Sequence, residues 1–326
     1  MKKSIGIDIA KSSFEISVYD GVSFNNISYN TNNLRAFKKF IKDIKPDENT
    51  KFIMEPTGTY HIKMANFLHK NNYRVYLAHP FKVKNFRNMK YVKTKTDPVD
   101  ARIIAEYGFT QDLLEYTPKE PQYQLLLTKM KTIEGLKKTR IALNNRIEAL
   151  KAGELDEESI RSLEKIISEL EKQIEKLDKE CSDIINKYFK KEKELLSKIP
   201  GIGKVCTNII IAHFEGFKNF ASARQAASFI GITPCEYSSG TSVKKKPRIS
   251  KCGSAYVRNM IFMGALTASS KNKSCRELYE RLLKKNKSKK QALVAVAHKL
   301  LRQAFGVLKH MRPFDSNYCD ERFLAK

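Results

Sequence analysis

Tryptophan is missing altogether from this 326-residue chain, acidic groups are few beside basic ones (35 against 61), and there is no long apolar run. The last absence excludes a membrane-spanning helix, which needs about 20 consecutive apolar residues. The first weighs against a helix lying on a membrane surface, which would show Trp or Phe on a broad apolar face. The six cysteines, Cys181, Cys206, Cys235, Cys252, Cys275 and Cys319, stand far apart and include no C-x-x-C pair. That argues against a zinc knuckle and, with no secretory leader expected, against a disulfide framework. The opening MKKSIGIDIAKSS carries a basic pair but turns polar and acidic by Asp8, so no signal peptide is expected. The chain reads as soluble, reduced and cytoplasmic, with no membrane partner.

Positive charge is what the sequence has in excess. The formal charge of +26 is spread unevenly: +7 over residues 1–120, +1 over 121–190 and +18 over 191–326. A final third this basic suits a polyanion, because each Lys or Arg near a phosphate releases condensed counterions. Nucleic acid is the expected partner. A hydrophobic content of 41% with 18 Phe is enough for real cores, and the length allows two ordinary domains or three smaller segments.

The first 118 residues alternate strand and helix signals. KSIGIDIA, SFEISVYD and SFNNISYN are β-prone runs divided by Lys-Ser and Asp-Gly, the pattern of an antiparallel meander. A helix LRAFKKFIKDI, a strand KFIME, a helix TYHIKMANFLHKN, a strand YRVYLA and helical segments to about residue 115 follow. Three strands and then alternating helix and strand is the order of the ribonuclease H fold, so an α/β domain of that type is expected over 1–118.

Residues 119–192 change character. Ile160, Ile167, Ile174, Cys181 and Tyr188 alternate with Leu163, Leu170, Leu177 and Ile184 in unbroken 4-3 spacing, and a looser run spans Leu126 to Leu150. This predicts an antiparallel helical hairpin or coiled-coil arm; two amphipathic helices packed on a globular body are the alternative. Its near-zero charge points to protein contact, and a homodimer through the coiled coil is expected. Residues 193–326 read as a mainly α domain with a basic loop. IPGIG sets Gly201 and Gly203 between apolar helical runs, as in a helix-hairpin-helix whose backbone N–H groups meet a phosphate. A tight helix–helix turn explains the glycines equally well; Lys204 and the surrounding charge favour phosphate. LLKKNKSKK reads as a solvated basic loop, with DNA contact open, and KKQALVAVAHKLLRQAFGVLKHM as an amphipathic helix with its apolar side in the core.

Against this basic background, four acids stand out. Asp8 sits between Ile7 and Ile9 in the first strand, and Glu55 ends the strand KFIME, where α/β folds present functional groups. Asp97 and Asp100 lie i,i+3 at a predicted helix start, among Lys84, Arg87, Lys90, Lys93, Lys95 and Arg102. Taken singly, each has a plainer reading. Asp97 before Pro98 suits an N-cap, Asp100 a first-turn acid, Asp8 an outward-facing strand residue and Glu55 a loop acid. Together, at one end of a ribonuclease H order, they point to metal binding. Hard oxygen ligands suit Mg²⁺, with Mn²⁺ as the alternative, and two such ions about 4 Å apart would flank a scissile phosphate. Lys93 and Lys95 would draw in the polyanion.

Those blocks carry a resemblance. IGIDIAKSSFEISV, MEPTGTY and KTDPVDARIIAEY resemble the DEDD transposases of bacterial insertion sequences, the IS-one-ten family, whose N-terminal domain is similar to the Holliday-junction resolvase RuvC. IPGIGKVCTNIIIAHF, FASARQAASFIGITPCEYSSG and RISKCGSAYVRNMIFMGAL resemble that family's transposase domain. The resemblance runs from the first strand to about residue 310. It implies a nucleoid-associated recombinase guided by a structured RNA that pairs with donor and target DNA, with a tetramer as the synaptic assembly. It maps the family's acids onto Asp8, Glu55, Asp97 and Asp100, and its serine nucleophile onto Ser239, with Ser238 in reserve. Without the resemblance, Ser238-Ser239-Gly240 would be read as a turn. Lys244, Lys245, Lys246, Arg248, Lys251 and Arg258 become candidate phosphate contacts, against a merely solvated loop. Two other classes stay open: a hydrolytic junction nuclease needing no serine, and an architectural nucleic-acid binder whose acids are caps and surface groups.

Overall fold

A computed structural model describes residues 3–56, 58–239 and 243–316, and the chain falls into two compact units, Met1–Lys119 and Glu120–Lys326. In the first unit, β1 (Ser4–Ile9), β2 (Phe14–Tyr19) and β3 (Phe24–Tyr29) form the antiparallel meander. The β2–β3 turn closes because Asp20 accepts the Val22 and Ser23 N–H groups, and Gly21 takes φ +102. After α1 (Leu34–Ile44), β4 (Lys51–Met54) adds parallel to β1, and after α2 (His61–Lys70), β5 (Arg74–Leu77) adds parallel to β4. The sheet order is β3-β2-β1-β4-β5.

Strand alternation decides which face is which. Ile5, Ile7 and Ile9 join Phe14, Ile16, Phe52 and Met54 in one buried cluster with Phe37 and Phe40 of α1 and Met64 and Leu68 of α2. Each such side chain, fully buried, contributes about 2 kcal/mol. Ile53 and Tyr76 point the other way, onto α3 (Pro80–Met89) and α4 (Asp97–Thr110), where Val83, Phe86, Ile103, Ile104 and Tyr107 meet them. Ser4, Gly6 and Asp8 share that second face.

The second unit begins with α5 (Pro121–Ala152) and α6 (Glu157–Tyr188), each 32 residues long. Lys129 pairs with Glu180, Arg140 with Glu171 at 3.1 Å and Lys151 with Glu164 at 3.0 Å; descending partner numbers make the two helices antiparallel. Asp156 caps α6 by accepting the Glu158 N–H, with Glu157 and Glu158 in the favourable first turn. Tyr188, expected on the apolar seam, is half exposed instead. The helix ends there, and Phe189 takes the buried place against Tyr123 with ring centroids 4.6 Å apart.

The remaining chain forms α7 (Lys190–Ser197), α8 (Lys204–Phe214), α9 (Ala223–Phe229), α10 (Ala255–Lys271), α11 (Lys273–Lys284) and α12 (Lys289–His310). Ile209, Ile210 and Ile211 of α8 are fully buried, surrounded by Ala265 and Ala268 of α10 and Val296, Leu300 and Ala304 of α12. Two expectations need correcting here. The basic stretch after α9 lies in a two-stranded antiparallel ribbon, β6 (Pro234–Ser239) with β7 (Val243–Ile249), not in a basic loop; Gly240 lies outside the described residues. The basic stretch LLKKNKSKK is largely helical too: only residues 285–288 connect α11 to α12, where Ser288 and Gln291 close a capping box. The five described cysteines are free; Cys319 lies outside the described residues. No described helix is long and apolar enough to cross a membrane.

Candidate active site and nucleic-acid contacts

The packing of β1 on α4 sets the first pair of acids. Ser4 Oγ donates to the Ala105 carbonyl at 2.7 Å. Gly6 sits so close that a Cβ there would lie 2.2 Å from the Ala101 oxygen and the Ala105 nitrogen. Strand and helix thus run antiparallel in near contact. Two strand residues advance about 6.6 Å and four helix residues about 6 Å, so the steps Ser4, Gly6, Asp8 keep pace with Ala105, Ala101, Asp97. The third acid follows from strand pairing. Ile7 is opposite Met54 in the parallel register, and one step further on sets Glu55 beside Asp8.

The electrostatics agree with that geometry. Asp8 is half-buried, and its carboxyl is pushed up to about 6, first by burial and then by the charges of Asp97, Glu55 and Glu15. Burial also raises Glu55, opposed by Arg87, Lys95 and His79. Asp97 is the first residue of α4, with Thr96 as the N-cap and no side-chain cap bond. The N-cap explanation for Asp97 is therefore corrected, and the side chain is exposed. Asp100, one turn on, is held by the Arg87 guanidinium from α3.

The acids share a neighbourhood but do not close into a cage. Among the described residues no three His, Cys, Asp or Glu side chains are set to hold one ion. The donor set nonetheless fits a hard divalent cation. All its members are carboxylates, and the half-buried Asp8 is burdened by the negative charge of two others, a repulsion that a cation between them would relieve.

The basic candidates divide by what holds them. Lys93 and Lys95 are exposed just before α4. Gly201 has φ +102, and a Cβ there would lie 2.6 Å from Ala268 Cβ; its turn is docked by the Asn272 amide, which donates to the Pro200 carbonyl at 3.2 Å. Helix packing therefore accounts for this glycine. Gly203 and Lys204 are exposed at the start of α8, and Lys204 lies 3.6 Å from Asp178. Arg258 donates to the carbonyls of Ile230, Cys252 and Gly253 at 3.0–3.1 Å. It clamps the base of the ribbon, where Gly231 and Gly253 also pass too close to backbone for any Cβ. Lys251 and Arg248 are exposed. Ser238 is exposed and faces Lys244 in the register, while Ser239 pairs with Val243. The side chains of Ser239, Lys244, Lys245 and Lys246 lie outside the described residues.

Arg87 and the Arg258 clamp are the roles that sequence reasoning missed. Arg87 was visible only as one more positive charge; its pairing with Asp100 spans a helix break that no spacing rule connects.

Comparison with known proteins bears on this arrangement. Residues 5–152 match the IS110-type DEDD family described as Transposase, and residues 193–280 match the family described as Transposase IS116/IS110/IS902 family. A pilin gene-inverting protein of Moraxella bovis is 31% identical over 322 residues, covering 96% of this chain and 98% of that one. Its counterpart in Moraxella lacunata is 30% identical over 321 residues, with the same coverage of 96% and 98%. An insertion element IS110 protein of Streptomyces coelicolor is 24% identical over 115 residues, 35% of this chain and 28% of that protein.

Proposed function

Because the chain belongs to the IS116/IS110/IS902 transposase family, and is thus an enzyme acting on DNA by transposition or recombination, we propose a specific chemistry for it. Asp8, Glu55, Asp97 and Asp100 hold Mg²⁺, or Mn²⁺ in its place, in a ribonuclease H-like domain, and Ser239 is the nucleophile, with Ser238 in reserve. The observation that carries this reading is the electrostatic convergence of Asp8, Asp97 and Glu55 at one end of the sheet. The strand order, with three antiparallel strands followed by two parallel ones, supports the ribonuclease H assignment.

The chemistry explains why both parts are needed. A bound cation would lower the charge on the phosphate and make the serine hydroxyl a better nucleophile. The serine oxygen attacks phosphorus, its proton leaves, and the bond to the 3′-oxygen breaks, releasing a 3′-hydroxyl. The phosphodiester energy is kept in a phosphoserine ester, so a 3′-hydroxyl from another strand reverses the step without ATP. Asp8, Glu55, Asp97 and Asp100 would hold the cation, and Arg87 positions Asp100. A structured guide RNA selects donor and target DNA at the nucleoid, and α5 with α6 supplies a coiled-coil dimer contact from which a tetramer is built.

A trapped intermediate tests this. Protein, guide RNA, Mg²⁺ and end-labelled DNA should leave label on the protein after denaturation, and Ser239→Ala should remove it. Label that survives both Ser239→Ala and Ser238→Ala overturns the serine assignment. Free 5′-phosphates, with cleavage indifferent to both changes, would indicate a hydrolytic nuclease instead. The two full-length relatives named for gene inversion favour a second reading of the outcome, inversion of a resident DNA segment. Amplification across the product junctions separates inversion from movement to a new site.

A further inference from the structure

Helix α3 ends on a left-handed residue that is not glycine, as α1 does at Lys45 and α12 at Met311, but here that residue is an exposed aromatic. The Val92 N–H donates to the Arg87 carbonyl at 3.3 Å and the Tyr91 N–H to the Asn88 carbonyl at 3.1 Å, which is the bond pair of a Schellman cap. Val92 makes the apolar contact such caps carry, packing on the cluster that holds Phe86. The position with left-handed backbone, where glycine is usual, is Tyr91, at φ +53. Left-handed backbone disfavours a residue with a Cβ by about 5- to 30-fold in the folded-to-unfolded ratio.

The cap bonds and Val92 offset part of that penalty, but the Tyr91 ring adds little to the offset, being 88% exposed. The other described aromatic residue with positive φ is Phe217, at φ 66, and it is fully buried. The Phe217 ring is packed in the core, whereas the Tyr91 ring faces outward. A bulky ring kept at a glycine position and left 88% exposed is free to make a contact outside the chain.

The surroundings say what that contact is. The cap is braced against α4 by Arg87 on Asp100, by Lys90 on Glu106 at 2.6 Å, and by Phe86 against Tyr107 with ring centroids 5.4 Å apart. The ring therefore stands on a rigid turn, one helical turn from the arginine that holds the fourth acid. Exposed Lys93 and Lys95 follow it, and the charge of Lys95 reaches Glu55. An exposed aromatic among cations is the arrangement that stacks on an unpaired base while lysines hold the backbone. We propose that Tyr91 is a stacking platform for an unpaired DNA base next to the scissile phosphate. This rests on the DNA-cleaving reading of the acid site, since it takes the strand there to be DNA.

The test separates fold from function because the two should move in opposite directions. Tyr91→Gly should raise the urea midpoint of unfolding. In EDTA, followed by fluorescence anisotropy, the same variant should bind a duplex with a short mismatched bubble about 5- to 150-fold more weakly, the effect of losing one stacked base. Binding to the fully paired duplex should change less than twofold, and Tyr91→Phe should match wild type on both probes. Unchanged bubble binding by Tyr91→Gly overturns the proposal, and so does a loss that Tyr91→Phe shares, since that would make the hydroxyl the contact. An equal loss on a structured RNA hairpin overturns the assignment to DNA. Wild-type protein that ignores every DNA probe would sink this proposal together with the cleavage reading, whereas an effect confined to Tyr91→Gly on an active wild type bears on this one alone.

Discussion

Asp8 is a carboxylate held where the folded chain would rather keep it protonated. Its pKa is raised from the ordinary 3.8 to about 6 by burial and by neighbouring acids, so the sign of the linkage is fixed. The folded state keeps its full stability below about pH 4 and loses some as pH rises through 6, because the unfolded chain ionises more easily. In EDTA at pH 7, Asp8→Asn should therefore be the more stable protein, by about 1–2 kcal/mol once solvent screening is allowed for. Thermal melts should show the gap closing as pH falls toward 4. Mg²⁺ should raise the melting temperature of the wild type and leave that of Asp8→Asn nearly unmoved. A variant less stable than wild type at pH 7 would mean that Asp8 is structural, and the raised carboxyl would need another explanation. That outcome, a gain in stability when Asp8 is changed, is what the proposed metal-binding role predicts for this acid.

At the scale of elements, glycines separate close packing from mere flexibility. Gly6 has α4 backbone 2.2 Å from where its Cβ would be, while Gly135, inside α5, has nothing within 4 Å. Gly6→Ala should cost at least about 3 kcal/mol, and Gly135→Ala should stabilise by up to about 1 kcal/mol. Urea midpoints of the two variants check both; a tolerated Gly6→Ala would contradict the β1–α4 contact. Elements were also where sequence reading succeeded and failed. The meander was legible because Ile5, Ile7 and Ile9 alternate strictly and an Asp-Gly pair marks the turn. The apolar seam at the end of α6 was not, since the 4-3 spacing assigns its last place to Tyr188, the final helical residue, whereas Phe189 just beyond takes the buried place. The β6–β7 ribbon was hidden because VKKKPRI lacks the apolar alternation of a half-buried strand; its pairing rests on backbone register. The acids were legible as types and positions, but their convergence depends on the pitch match of β1 to α4, which sequence does not display. Arg87 against Asp100 is likewise a fact of helix packing alone.

For the molecule as a whole, charge distribution decides how it meets a polyanion. Residues 191–326 carry +18, while 121–190, the span that holds most of α5 and α6, carry +1. DNA binding should fall by roughly a hundredfold or more between 50 and 200 mM salt. The logarithmic slope should flatten when the exposed Lys287, Lys289 and Lys290 are changed to Gln. Lys165 and Lys172 of α6, also exposed, should be replaceable without effect on it; an equal change from either set would show that net charge, not its location, governs binding. The β1–α4 contact has a consequence for inheritance as well. The strand and the helix act as two scales of nearly equal division, read against each other, so the spacing of Asp8 and Asp97 has no adjustable loop. Dropping one residue between Gly6 and Asp8 turns the acid to the far side of the sheet instead of moving it a little. Hybrids of related enzymes should thus stay alive only when the join leaves Ser4 through Ala105 from a single parent.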